Sequence, residues 1–446
     1  MKKILIAGAG RSATAAIQYL LRVAEGKGWR VFVADADIAL AKHKIGQSPA
    51  GHAVEMDVTN ARARQKLIRQ VDVVVSLLPP HLHLLIAKDC LQLSKHLVTA
   101  SYVSTEMYAL SEEVRLANLT FMNEIGLDPG IDHMSAVKAI HRIKAQGGRL
   151  TAFRSYTGGL VAPECANNPW KYKFTWNPRN VVLAGKGTAQ FLEAGQYRYV
   201  PYHRLFKNTR TIAVKPLGDF EVYPNRDSLL YRKAYGLQDI PNLFRGTIRY
   251  PGFCESWHAL VVLGLTDDSY PIVEANRITW RQLMDAYVSS MTKGQTTEEK
   301  VAHVLHTSID SPVMDKLHWL GLFDDRPLSM DVATPARILE QLLLEKWKLA
   351  PEDKDMVVMQ HEFEYVLDGH HWQEKSTLVM KGHNAEDTAM TRLVGLPLAI
   401  FTRLLLEGKI EEKGVQIPIQ PSVYLPVLEE LATYGVKFEE EKRILE

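Results

Sequence analysis

The chain opens Lys2-Lys3-Ile4-Leu5-Ile6-Ala7-Gly8-Ala9-Gly10-Arg11-Ser12-Ala13, and this stretch decides the fold. Residues 2–7 form a short apolar run, suited to a buried parallel strand. The run leads into G-x-G-x-x-A, Gly8 to Ala13, and then into a helix-like segment, residues 14–24. Gly8 permits a tight turn, Gly10 lets backbone N–H groups approach a pyrophosphate, and the small Ala13 lets the helix pack close to the strand. Phosphates then lie at a helix N-terminus, where unpaired N–H groups and the helix dipole favour anions. A glycine motif this short is as often a plain turn, so the flanking pattern has to carry the reading.

That pattern is regular. A second strand, residues 29–34, ends in Asp35, and helix-like 38–44, strand-like 53–56 and helix-like 61–70 follow. Residues 71–78 (VDVVVSLL) read as another buried strand ending in Pro79-Pro80, with further short strands at 96–100 and 120–122. Strands alternating with helices predict parallel βαβ units and a Rossmann-type, doubly wound α/β domain. Its cofactor crevice is expected at the loops after the strands' C-terminal ends, residues 76–80, 99–102 and 123–129. Asp35 stands 25 positions after Gly10. That is near the offset of about 20 at which an acidic residue accepts hydrogen bonds from the ribose hydroxyls of NAD.

Beyond residue 130 the texture changes. Residues 149–156 and 256–264 read as strands, and 356–367 with 372–381 alternate around Asp368-Gly369 as a hairpin. A mixed sheet covered by helices is expected. Residues 280–292, 298–307 and 335–349 look helical and suit a cap, and the apolar helix pattern over 387–406 is expected to pack back on the Rossmann domain. The predicted layout is a dinucleotide-binding domain over 1–128, a substrate-binding mixed-sheet domain over 129–275 and 350–385, a small helical cap over 276–349, and C-terminal helices over 386–446. Lys and Arg number 53 against 51 Asp and Glu, so no global field points to nucleic acid or an anionic membrane. The N-terminal apolar run breaks at Gly8 and reaches Arg11, too soon for a signal peptide, and no uncharged stretch approaches the roughly 20 residues of a membrane span. Three cysteines without a C-x-x-C pair argue against a disulfide framework or a cysteine zinc site, so a cytoplasmic protein is expected. His81-x-His83 and His370-His371 lack a third ligand at metal spacing, and no metal is expected.

Longer segments carry a resemblance. Residues 123–133 (NEIGLDPGIDH), 156–164 (YTGGLVAPE), 168–176 (NPWKYKFTW), 223–228 (YPNRDS), 245–253 (RGTIRYPGF), 319–323 (WLGLF) and 355–363 (DMVVMQHEF) resemble the saccharopine dehydrogenases, in their glutamate-forming or saccharopine reductase branch. The resemblance spans nearly the whole chain. It implies a Rossmann domain, a mixed-sheet substrate domain and a small helical domain, assembled as a homodimer. It implies reversible, nicotinamide-dependent conversion of saccharopine to 2-aminoadipate 6-semialdehyde plus glutamate through an imine. It places Ser101, Tyr102, Asp128, Arg226, Thr247, Ile248 and Arg249 on the substrate, with Asp128 and Tyr102 as catalytic candidates. To Gly8, Gly10, Ala13 and Asp35, read from the spacing, it adds Arg11, Ser12, Asp57, Val58, Leu77, Thr99, Ala100, Ser101, Leu127, Asp128, Pro129 and Asn177 on the cofactor.

The residue types suit that chemistry independently. Saccharopine is a tricarboxylate, and arginine binds carboxylates bidentately, so Arg226 and Arg249 are natural anchors. A carboxylate such as Asp128 beside a secondary amine can hold an iminium or move its proton. His133 reads as structural, since a single histidine carries no ligand spacing. At Thr157 the chain departs from fungal members of the family, which often carry cysteine there. It departs again at the cofactor. Glutamate-forming members commonly use NADP, held by an arginine after the second strand, whereas this chain reads Asp35-Ala36-Asp37. NAD is therefore expected, with NADP as the family's alternative should Arg11 or Lys42 reach the phosphate. The remaining alternatives are a carboxylated-polyamine (carboxynorspermidine-type) dehydrogenase, which should carry acidic residues in place of the arginines, and a non-catalytic dinucleotide-binding protein.

Overall fold

The computed structural model describes residues 1–184 and 187–445. The chain divides into two compact units: Met1–Leu150 with Val366–His370 and Leu378–Glu440, and Thr151–Tyr365 with His371–Thr377 and the chain from Glu441 onward.

The first unit is built on a parallel sheet of seven strands. They are β1 (Lys3–Ala7), β2 (Arg30–Asp35), β3 (Gly51–Glu55), β4 (Val73–Ser76), β5 (His96–Thr99), β6 (Thr120–Met122) and β15 (Gly414–Gln416), in the order β15-β6-β5-β4-β1-β2-β3. This is the Rossmann order with one strand added at the β6 edge, and the order reverses between β1 and β4. Leu5, Ala7, Val74, Leu97 and Phe121 belong to its buried core. The connecting helices are α1 (Thr14–Lys27), α2 (Ile38–Ile45), α3 (Ala61–Ile68), α4 (His83–Gln92), α5 (Thr105–Ala109) and α6 (Ser111–Leu116), followed by α7 (Ile131–Ala145). The apolar tail helix (Ala389–Leu406) packs along α1. Gly395 makes that approach close, because a Cβ there would lie 2.7 Å from the Ala16 nitrogen.

The second unit carries a nine-stranded mixed sheet. Its strands are β7 (Arg149–Val161), β8 (Ala189–Glu193), β9 (Gln196–Val200), β10 (Arg210–Val214), β11 (Gly218–Pro224), β12 (Asn242–Arg249), β13 (Asp355–Leu367), β14 (His370–Lys381) and β16 (Glu439–Leu445). The main order is β10-β11-β12-β7-β13-β14-β16, with β8 on β12 and β9 on β8. The predicted hairpin is present: Asp368 and Gly369 both have positive φ, 52° and 76°, as a tight two-residue turn requires.

One expected strand is a helix. Residues 256–264 lie largely within α9 (Phe253–Val262), not in the sheet. The buried positions Phe253, Cys254, Ser256, Trp257 and Leu260 follow a helical stripe, which a short apolar run hides from a periodicity reading. The helix start is set by Gly252, at φ 81°, and by the Glu221 carboxylate, which accepts from the N–H groups of Gly252 (2.7 Å) and Cys254 (3.0 Å). Further helices are α8 (Pro178–Val182), α10 (Trp280–Tyr287), α11 (Thr297–Val304), α12 (Pro312–Leu320) and α13 (Pro335–Lys346), with α14 the tail helix and α15 (Pro421–Thr433) after it. The segment expected as a helical cap, 276–349, shares one apolar core with the sheet: Tyr156, Ile248, Trp257, Leu283, Leu317, Leu339 and Trp347 belong to a single cluster.

Candidate active site

The glycine loop follows β1 at the point where strand order reverses. Gly8 is obligatory: its φ is 103°, and a Cβ would lie 2.9 Å from the Leu77 carbonyl oxygen. Its N–H donates to Ala34 O, and the Leu77 N–H donates to Ala7 O, each at 2.8 Å, so the loops after β1, β2 and β4 are laced together. Gly10 differs. Its φ of −64° is ordinary and a Cβ there would meet no atom of the described residues within 4 Å, so none of them demands glycine. The demand fits a ligand passing close to the backbone. Arg11–Ala13 form a single 3₁₀ turn with no side-chain cap, leading into α1. These backbone features suit a dinucleotide pyrophosphate.

Asp35 closes the same loop. Its Oδ2 accepts from the Ala9 N–H (2.7 Å) and its Oδ1 from the Asp37 N–H (3.0 Å). Capping of α2 falls to Asp37, whose side chain accepts from the N–H groups of Ala39 and Leu40. A carboxylate offers about four acceptor sites, so Asp35 keeps two for ribose hydroxyls. Past β3, Asp57 accepts from the Thr59 hydroxyl (2.7 Å) and N–H (2.8 Å), which holds its pKa below the usual range, and Val58 beside it is buried.

The ends of β4 and β5 are joined by a histidine. His83, the first residue of α4, places Nδ1 2.8 Å from Ser76 Oγ and Nε2 2.7 Å from Ser101 Oγ, with Thr99 Oγ1 farther off at 3.5 Å. Burial, with a smaller contribution from His81, lowers its pKa to about 4, so the ring is neutral at pH 7. Next in the chain, the Tyr102 hydroxyl donates to Asp128 Oδ1 at 3.0 Å. The loops that carry this pair are tightly held. Gly126 lets residues 123–130 press against Ala100, whose Cβ would lie 2.8 Å from a Cβ at that glycine. Glu124, buried at φ 55°, accepts from the Val103 N–H (2.9 Å) and pairs with His133 Nε2 (2.8 Å). Asp132 accepts from the Gly130 N–H at 2.6 Å. One buried group of side chains thus holds the backbone beside Tyr102 and the backbone just after Leu127, Asp128 and Pro129. The structural reading of His133 accords with this place.

The second unit carries the predicted carboxylate anchors. In β12, Thr247 lies opposite Thr157 of β7 and Tyr223 of β11, and Ile248 is buried in the core. Arg249 is 2% exposed. Its guanidinium donates to Ile248 O (2.8 Å) and to the Tyr223 hydroxyl (3.4 Å), while Nε has no partner among the described residues. The rings of Tyr172, Phe253 and Tyr223 surround it at 5.2, 5.3 and 5.6 Å. Burial alone would lower its pKa, but Tyr223, Tyr172 and Cys254 outweigh that, and the group stays charged. Among the described residues no carboxylate pairs with it. Arg226 is exposed, in a turn where its own φ is 44°. Asn177 caps α8, accepting from the N–H groups of Arg179 (3.0 Å) and Asn180 (3.4 Å).

Sequence reading set His83 aside as a metal ligand without giving it another role, and passed over Glu124. His83 had a signal: with Ile86, Ala87 and Cys90 it lies on the buried stripe of α4, where a polar residue asks for a partner. Glu124 had none, because its left-handed backbone is not legible from side-chain pattern. Among the described residues no group of three or more His, Cys, Asp or Glu could hold a metal ion.

A Rossmann sheet with a glycine loop at its switch point, joined to a mixed-sheet unit bearing a buried arginine, defines a nicotinamide-dependent oxidoreductase. The model of the saccharopine dehydrogenase NADP binding domain matches residues 4–122, and that of the saccharopine dehydrogenase C-terminal domain matches residues 126–436. The chain is 33% identical over 449 residues to the saccharopine dehydrogenase (NADP(+), L-glutamate-forming) of Schizosaccharomyces pombe, covering 99% of each. It is 34% identical over 455 residues to the protein of the same name from Saccharomyces cerevisiae, covering 98% of this chain and 99% of that one. Apo histidine-tagged saccharopine dehydrogenase (L-Glu forming) from Saccharomyces cerevisiae superposes with a TM-score of 0.88 at 33% identity, over 99% of this chain and all of that one. The chain belongs to the saccharopine dehydrogenase family.

Proposed function

We propose that the protein is a glutamate-forming saccharopine dehydrogenase that prefers NAD. The observation that carries the substrate is Arg249, a buried cation held by aromatic faces with no carboxylate of its own among the described residues. Such a group is costly to bury and suits a ligand carboxylate. Arg226 supplies a second, solvent-facing charge. Asp128, with one oxygen held by the Tyr102 hydroxyl, accepts the proton of the secondary amine as the imine forms, and returns it in the reductive direction. When bound, the nicotinamide supplies the two-electron hydride acceptor or donor. Water then adds to the imine, releasing glutamate and the semialdehyde.

The cofactor preference rests on Asp35. A 2′-phosphate beside it would face its carboxylate and that of Asp37. At about 4 Å and an effective dielectric near 20, each like-charge pair costs on the order of 4 kcal/mol before screening. The names of the relatives specify NADP(+), so this chain departs from them at a definable place. The test is kcat/KM for NAD and NADP with saccharopine, in the wild type and in Asp35→Asn. Asparagine keeps an acceptor for the Ala9 N–H while removing the charge. We expect NAD to be favoured in the wild type and the ratio to narrow at least tenfold in Asp35→Asn. A wild-type preference for NADP removes the NAD reading, and no turnover of saccharopine with either cofactor removes the activity.

A further inference from the structure

We propose that His83 is a positioning residue that holds the Ser101 hydroxyl turned outward, as a hydrogen-bond donor to an acceptor atom of the ligand. The inference rests on Ser101 being a ligand contact, as the functional reading has it.

The argument follows the protons. Ser76 Oγ is fully buried at the end of β4, and its side-chain partner is His83 Nδ1 at 2.8 Å. A buried hydroxyl proton without an acceptor is costly, so Ser76 donates and Nδ1 accepts. The ring is neutral and therefore carries a single N–H, which must be on Nε2. That N–H donates to Ser101 Oγ at 2.7 Å, and the longer approach of Thr99 Oγ1, 3.5 Å, makes it a minor acceptor. The Ser101 backbone is fixed as well, since its N–H donates to Thr99 Oγ1 at 3.3 Å. With one lone pair of Ser101 Oγ taken by the imidazole, its own proton cannot point back at His83 and is directed away from it. The buried stripe of α4 holds the ring in place. A serine at the end of a strand would otherwise be free to donate inward or outward, and the histidine removes that choice.

The experiment measures kcat and KM for saccharopine, KM for the dinucleotide and thermal unfolding. The variants are Ser101→Ala, His83→Asn, His83→Gln and the double variant Ser101→Ala/His83→Asn. We expect Ser101→Ala and His83→Asn each to lower kcat/KM for saccharopine about tenfold, and the double variant to lose no more than about twofold beyond either single, the signature of one residue acting through the other. His83→Gln, whose amide nitrogen reaches toward the Nε2 position, should recover most of the activity, whereas asparagine reaches only the Nδ1 position. Losses that multiply to about a hundredfold overturn the proposal, as do equal losses in the Gln and Asn variants when both unfold at the wild-type temperature. If Ser101→Ala alone leaves saccharopine kinetics unchanged, the reading of Ser101 as a ligand contact falls first. Nitrogen-15 NMR of the wild-type imidazole tests the premise without any variant: a proton on Nδ1 overturns the proposal.

Discussion

His83 in the first unit and Arg249 in the second are both nitrogen bases sealed from water, at 5% and 2% exposure, and the two sites resolve the cost of burial in opposite ways. The imidazole sheds its charge, with a pKa lowered to about 4, and spends both nitrogens on serine hydroxyls of neighbouring strand ends. The guanidinium cannot do so. It remains a cation, faced by three aromatic rings and with Nε unsatisfied. A group that can become neutral serves to fix geometry, and one that cannot is left in want of an anion. The contrast extends to the candidate residues around each. The first unit's Tyr102 and Asp128 are suited to proton handling, the second unit's arginines to binding, so substitutions should separate into losses of kcat and rises in KM.

The largest effect is expected at Asp128. Asp128→Ala should lower kcat by about 10²–10⁴ while the dinucleotide KM stays within a few-fold. Steady-state kinetics with saccharopine and with the dinucleotide checks this. A variant with near-normal kcat would assign the proton to another group and break the division of roles.

Next comes Arg249→Met. With a charge-assisted contact to a carboxylate removed, KM for saccharopine should rise about 10²-fold with little change for the dinucleotide. Stability should move the other way. Replacing a buried cation that has no carboxylate partner among the described residues by an apolar side chain of similar length should leave the melting temperature unchanged or higher. A variant that loses stability and both affinities together would show Arg249 to be part of the core.

His83 gives a pH signature that Arg249 cannot. Its folded pKa of about 4 lies below the unfolded value of 6.5, so the folded state binds fewer protons. Its contribution is complete above about pH 6.5 and is lost as pH falls toward about 4, amounting to about 2 kcal/mol at pH 5. Denaturant unfolding at pH 7 and pH 5 should show this loss in the wild type and a smaller one in His83→Gln. Equal losses in the two proteins would mean that the ring is not buried neutral.

These sites were not equally legible in the sequence. The glycine loop, the strand–helix alternation and Asp35 were readable because their partners lie within one βαβ unit and obey fixed spacings. The left-handed Gly8 and the Asp35–Ala9 contact are what those spacings require. The box around Arg249 draws on Tyr172, Tyr223 and Phe253, from three separate segments, and no local pattern encodes that meeting. The family resemblance supplied Arg249 as a candidate, and only the fold explains its burial. Misreading residues 256–264 as a strand has the same origin. Trp257, Ala259 and Leu260 are apolar because they enter a shared core, and a run that short fits either period.

The smallest effect is expected at Arg226, and it tests whether burial sets the scale. Arg226 carries the same charge as Arg249 but is exposed, so solvent and salt screen its pull on a carboxylate. Arg226→Ala should raise KM for saccharopine about tenfold, well short of the effect at Arg249, and the rise should shrink at high salt. The wild type and the alanine variant share one backbone cost, because φ at this position is 44° and a Cβ is disfavoured there. Arg226→Gly relieves that conformation while removing the same charge. If the charge is what matters, the alanine and glycine variants should share one KM for saccharopine, with the glycine variant at least as stable. If KM follows stability instead, or if the dinucleotide KM rises equally, Arg226 shapes the turn and does not bind substrate. An effect as large as that of Arg249→Met would show that exposure is a poor guide to the strength of these anchors.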